Sequence, residues 1–175
     1  MLPEAHGQRA LRHAFVALLV AALTSISSLF GCGGGGGGSF VPTTFYVRAS
    51  GNDGNTGESP DRALRNVRTA VIRARGGDTI LVGPGVYTPP IETPDVVVEI
   101  TAKTADPQRP LLIEADPMGV QTADIPGPVI LDAQRGAFGV RFSGSSSIVL
   151  DGFLITNTQG SNVAGIQVRS GSTDI

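Results

Sequence analysis

Apolar and polar positions change period along this chain. TFYVRAS (Thr44 to Ser50) alternates its side chains as a half-buried strand does, and the GNDGNTGESPDR that follows is dense in turn residues. In NVRTAVIRARGG the period lengthens. Val67, Ala70, Val71 and Ala74 fall at i, i+3, i+4 and i+7, with Arg65, Arg68, Arg73 and Arg75 largely on other faces, which predicts a short amphipathic helix. Asn66 stands at the N-cap position, and Gly76-Gly77 ends the pattern. After it come only short apolar runs: DTILVGPGVY, DVVVEIT, PLLIEADP, GPVILDAQ, GVRFSG, SIVLDGFLITN and GIQVRSG. They are rich in β-branched residues and closed by Gly, Asp, Asn or Pro, so strands and turns are expected throughout.

Two pairs of these runs align with each other. GVRFSGSSSI matches GIQVRSGSTDI at a spacing of 26 to 27, with one residue inserted, and VILD (Val129 to Asp132) matches IVLD (Ile148 to Asp151) at a spacing of 19. Such spacings sit around the roughly 20-to-45-residue repeats of solenoids. Their unevenness leaves a sandwich as the alternative on pattern alone.

The block from Phe45 to Pro90 narrows the choice. Ser50-Gly51-Asn52-Asp53, Asn55, Gly57, Gly77-Asp78-Thr79, Val82, Gly85 and Tyr87 stand in a fixed order around the helix. In this the chain resembles the N-terminal segment of right-handed parallel β-helix proteins of the pectin-lyase-like superfamily. There a strand with S-G-N-D-x-N-x-G, a helix, and G-D-T-hydrophobic-V-x-x-G-x-Y follow one another. The resemblance implies an all-β parallel β-helix opened by an N-terminal strand and a capping helix, with Asn66, Val67, Ala70, Val71 and Ala74 forming the cap. Ala63-Leu64 replaces the Pro-Phe usual before that helix, and Leu64 is expected to plug the solenoid's end. Ile175 follows GIQVRSGSTD inside a repeat, so residues 40–175 are expected to be the N-terminal part of a longer β-helix domain.

The first forty residues read differently. MLPEAHGQRALRH is polar with Arg9 and Arg12, Ala14 to Phe30 is apolar and uncharged, and the only cysteine, Cys32, follows at its end. This is the order of a secretory signal. Leu29, Gly31 and Cys32 resemble the lipobox of bacterial lipoproteins, in which cleavage precedes a cysteine that becomes lipid-modified. The expectation is a signal over residues 1–31, a lipid anchor on Cys32, a glycine-rich tether over 32–39, and a place in the bacterial cell envelope. A transmembrane helix and plain secretion are the alternatives. With several acyl chains, at about 0.8 kcal/mol per buried methylene, such an anchor is stable.

Composition excludes several chemistries. Both histidines, His6 and His13, fall in the signal, and Lys103 is the only lysine of the chain. Ser-His-Asp or Cys-His catalysis and a His/Cys zinc site therefore have no residues to use after Cys32. Removing the signal with Arg9, Arg12 and Glu4 leaves 11 basic and 14 acidic residues, a net charge of −3 that points to no nucleic-acid partner.

The remaining candidates are weighed residue by residue. Asp132 and Asp151 each end an apolar triplet and, if stacked at one corner, are candidates to hold Ca²⁺. The simpler reading makes each a turn residue. Asp53, Asn55 and Glu58 lack the spacing of an EF-hand and read as Asx-turn residues. Lys103 and Arg141 are basic residues of the kind a polysaccharide lyase mechanism would need, but no carboxylate cluster stands beside either in sequence, and the simpler reading makes both solvated surface charge. No Asp-Asp or Asp-x-Asp pair marks a hydrolase site. The sequence thus names no catalytic residues. It leaves three functions open: a lyase or hydrolase acting on polysaccharide, a non-catalytic glycan-binding or scaffold protein, and an anchored protein with no carbohydrate role.

Overall fold

A computed structural model describes residues 40–175. The apolar run, Cys32 and the tether lie outside the described residues. Ten strands carry the fold. They are β1 (Thr44–Val47), β2 (Thr79–Val82), β3 (Gly85–Tyr87), β4 (Val96–Thr101), β5 (Leu111–Ala115), β6 (Val129–Asp132), β7 (Phe138–Ser143), β8 (Ile148–Asp151), β9 (Leu154–Thr156) and β10 (Ala164–Val168). A short 3-10 turn (Pro60–Arg62) and one helix, α1 (Val67–Arg73), precede β2.

From β2 onward every third strand returns to the same sheet. The first sheet orders β1-β2-β5-β8, the second β3-β6-β9 and the third β4-β7-β10, and all pairings are parallel. This is an all-β parallel β-helix. Alternation along each strand sends one set of side chains inward, where register stacks like on like. Phe45, Ile80, Ile113 and Leu150 form one such column, and Ile100, Phe142 and Val168 another. In the final coil Ile166 and Val168 are 49% and 51% exposed, half open on their upper side.

The 26-residue repeat is physical: Val140 pairs with Ile166 and Phe142 with Val168. The VILD and IVLD pairing is not. Val129 to Asp132 is β6 of the second sheet, whereas Ile148 to Asp151 is β8 of the first, whose true partner is Leu111 to Glu114.

The helix lies over the beginning of the solenoid, against β1, β2 and β4. Val67, Ala70 and Val71 are buried on it, and Ala74, just past its end, is fully buried too. Asn66 occupies the N-cap position with extended backbone, yet its side chain makes no cap bond. Asp53 from the preceding loop instead fixes the entry to the helix, its Oδ1 accepting the backbone N–H groups of Arg65 and Asn66 at 3.0 Å. A carboxylate there also suits the positive end of the helix. Leu64, completely buried, pairs with Val47 and closes the first coil.

Candidate functional site

The outer face of the first sheet carries two carboxylates on adjacent strands. Alternation leaves Tyr46, Leu81, Glu114 and Asp151 outward on four successive strands, in register with one another. Strand neighbours lie about 4.8 Å apart. Glu114 and Asp151 are therefore adjacent carboxylates on adjacent coils, Glu114 half-buried and Asp151 exposed.

The longest connection after β2, residues 116–128 between β5 and β6, folds back over the ends of β1 and β2. Its start is fixed by Asp116, buried, whose Oδ2 accepts the N–H groups of Gln121 and Thr122 at 2.8 and 2.9 Å. Its far part is held by Arg48 at the end of β1. The guanidinium donates to Asp124 Oδ1 from Nε at 2.9 Å and to the Ala123 carbonyl from Nη2 at 2.9 Å. With side chains only 21% and 17% exposed, this pair is sheltered enough to act as a clasp rather than a screened surface contact. The bond to Asp124 raises the Arg48 pKa further, against the opposing effect of burial.

Gly83 is what allows the loop so close. A Cβ there would stand 2.3 Å from Asp124 Oδ2 and 2.8 Å from Thr122 Oγ1, so any larger residue would push the loop off the sheet. Asp124 Oδ2 is buried and has no hydrogen-bond partner among the described residues.

Tyr87 supports the floor beneath. Its hydroxyl donates to the Gly83 carbonyl at 2.8 Å inside the core. Burial first, and the Asp124 charge second, raise its pKa well above the ordinary 10.0. The unfolded chain therefore loses this proton at lower pH than the folded one. Stability should be flat up to about pH 10 and then fall as pH rises. Tyr87→Phe should cost about 1 kcal/mol at neutral pH by leaving the Gly83 carbonyl short of a donor. It should also flatten the alkaline decline, which denaturant melts at pH 8 and pH 11 would show.

The residues singled out from sequence are dispersed. Asp132 and Asp151 sit on different sheets and share no corner, so the stacked Ca²⁺ arrangement does not form. Asp132 Oδ1 instead accepts Gln134 N–H and Asn157 Nδ2, both at 2.9 Å, which makes it a turn residue. Among the described residues no three His, Cys, Asp or Glu side chains come together. Lys103 donates from Nζ to the carbonyls of Ile72 and Ala74 at 3.0 and 2.8 Å, closing the end of α1. Arg141, on the outer face of the third sheet, pairs with Glu99 at 2.6 Å. Neither is a free solvated charge, and neither reaches the first sheet's carboxylates. Asp53 Oδ1 is taken by the helix start, and Asn55 Nδ2 donates to the Ala63 carbonyl at 3.0 Å, so this loop closes on its own backbone.

The carboxylate pair escaped the sequence because 37 positions separate its members. The available signal was the shared form of LLIE and IVLD, an acid ending an apolar triplet.

No protein-family model matches the chain, and no curated protein sequence does. Solved structures do. One titled "Rhamnogalacturonan lyase" superposes with a TM-score of 0.56 at 20% identity over 75% of this chain. A GH136 lacto-N-biosidase from Eubacterium ramulus gives 0.49 at 15% identity over 68%. The chain spans 34% of the first of these proteins and 21% of the second. At this identity the lyase likeness is one of fold.

Proposed function

We propose that this is an envelope-anchored β-helix that binds polysaccharide along the outer face of its first sheet, with Glu114 and Asp151 as the groups that engage it. The observation that carries this reading is their placement in register on adjacent coils of the first sheet. A ladder of outward side chains repeating about every 4.8 Å matches an extended polymer better than a small molecule. Carboxylates accept sugar hydroxyls through charge-assisted bonds, worth about 1.5–3 kcal/mol each. The fold is shared with a protein named for acting on rhamnogalacturonan, which makes a polysaccharide the natural class to test.

Hydrolysis is the chemistry that a carboxylate pair on adjacent strands would support, with one group as acid and the other as base or nucleophile. Proton abstraction by a basic side chain is less well supported, since Lys103 and Arg141 are engaged elsewhere. That engagement favours a second reading, a non-catalytic glycan-binding scaffold. The anchor in this proposal is Cys32, and mass spectrometry of the mature N-terminus should find it lipid-modified. A soluble chain with an unmodified Cys32 would remove the anchor.

Affinity electrophoresis through gels holding polygalacturonate, alginate or neutral glucans tests the binding. Retardation of the wild type in at least one gel is expected, weakened at least about tenfold in Glu114→Gln/Asp151→Asn. Newly formed reducing ends would assign hydrolysis, absorbance of an unsaturated product would assign a lyase, and binding without either would assign the scaffold. A wild-type chain that migrates freely through every gel overturns the polysaccharide reading.

A further inference from the structure

The cap that closes the beginning of the solenoid is also its most basic surface. Arg65 leads into α1, Arg68 and Arg73 stand on it, and Arg75 follows it. These positions are joined by contacts. Asp53 receives the Arg65 N–H on its carboxylate and Arg73 Nη2 on its carbonyl, at 3.0 and 2.7 Å. Lys103 sits on the last carbonyls of α1. Gly76 and Gly77 then bring in Arg109, whose guanidinium lies 5.4 Å from the Phe40 ring.

The acids of this region are turned to other work. Asp53 holds the residues leading into the helix, and Asp78 is buried, accepting the Thr43 and Arg75 N–H groups at 2.8 Å. Asp106 accepts the N–H of Gln108 in its own turn. Arg65, Arg75 and Arg109 are exposed and outside both ion pairs found among the described residues. Burial first, and the Arg75 charge second, lower the Lys103 pKa against the opposing effect of Asp78. Apolar groups stand among the arginines: Ile72 on α1 is 64% exposed and Val41 is 75% exposed.

Basic side chains around exposed aliphatic ones fit a layer of anionic lipid headgroups, where each arginine contributes about 1 kcal/mol and apolar tips enter the interface. Chain length agrees. Phe40, on this surface, is eight residues from Cys32, so the two can be no more than about 28 Å apart even when fully extended. We propose that the cap, through Arg65, Arg75, Arg109 and Ile72, rests on an anionic membrane surface. The inference uses the lipid-anchor reading for the membrane's proximity. It orients the solenoid axis away from the bilayer and leaves the first sheet's outer face open to a polymer.

The test attaches an environment-sensitive dye to the full chain at Ile72→Cys, with Val149→Cys as the distant control. Each is reconstituted in vesicles of phosphatidylcholine alone or with phosphatidylglycerol. The Ile72 dye should shift to the blue only with phosphatidylglycerol, and the control should not shift. The shift should vanish in 1 M salt, where the Debye length is about 3 Å, and in Arg65→Glu/Arg75→Glu/Arg109→Glu. The mass of Cys32 is read on the same samples. A lipidated chain with no shift at Ile72 overturns the cap contact while keeping the anchor. If Cys32 is found free, the measurement is repeated in Cys32→Ser so that the dye sits only at position 72, and a shift there keeps the contact and removes the anchor. A shift produced by soluble polygalacturonate but not by phosphatidylglycerol vesicles would make the cap a glycan surface and overturn the membrane proposal.

Discussion

Replacing Val71 with Asp should lower the stability of this protein by several kcal/mol. Val71 is 2% exposed, on a seven-residue helix that packs against β1 and β2 of the first sheet and β4 of the third. A carboxylate there has no cation inward to meet, since Val67, Ala70, Leu64 and Ile80 make up the surrounding core. It must either stay charged in an apolar site or lift the helix from the sheets. Either route falls among the few mechanisms that exceed about 4 kcal/mol for one substitution. The melting temperature should drop on the order of 10 °C or more. An unchanged melt would mean that α1 is not packed as a cap.

Phe142→Ala should cost nearly as much for a different reason. Phe142 is completely buried in β7, with Ile100 below it and Val168 above it in register. Truncation removes about 3–5 kcal/mol through lost transfer energy and the cavity left behind. The neighbours are held by ladder hydrogen bonds on both sides, so collapse into the space is restricted. Urea unfolding should show a lower midpoint with the slope preserved, because the surface exposed on unfolding hardly changes. A loss below about 1 kcal/mol would contradict the stacked core.

The sequence made some of this legible and concealed the rest, for physical reasons. A helix period imposes itself locally, so Val67, Ala70 and Val71 announced the buried face of α1. The last repeat was equally plain because only 26 residues separate Val140 from Ile166. Where a corner of the solenoid carries a long loop, the period breaks. Residues 116–128 push the second-sheet strand after β5 so far along that VILD seemed the partner of IVLD, although the first sheet pairs Leu112 with Val149. Insertions of this kind are tolerated because closing a longer surface loop costs little extra entropy.

The candidate site was hidden by the same geometry. Stacking is the only thing that unites Glu114 with Asp151, and the Arg48 clasp joins groups 76 residues apart. Neither leaves a short motif. Lys103 differs in a complementary way: as an isolated lysine it reads as solvated surface charge, whereas its four-carbon stem reaches the end of α1 and holds two carbonyls. Asn66 stands at the N-cap position but its side chain makes no cap bond, and its own N–H is held by Asp53, thirteen residues earlier in the chain.

The central claim is that the outer face of the first sheet receives a polysaccharide, and hydrogen exchange with and without a retained glycan tests it most directly. Bound polymer should slow exchange in β5 and β8 of the wild type, and the slowing should be lost in Glu114→Gln/Asp151→Asn. Slowing confined to the third sheet around Glu99, Arg141 and Gln167, with the first sheet unaffected, would contradict it.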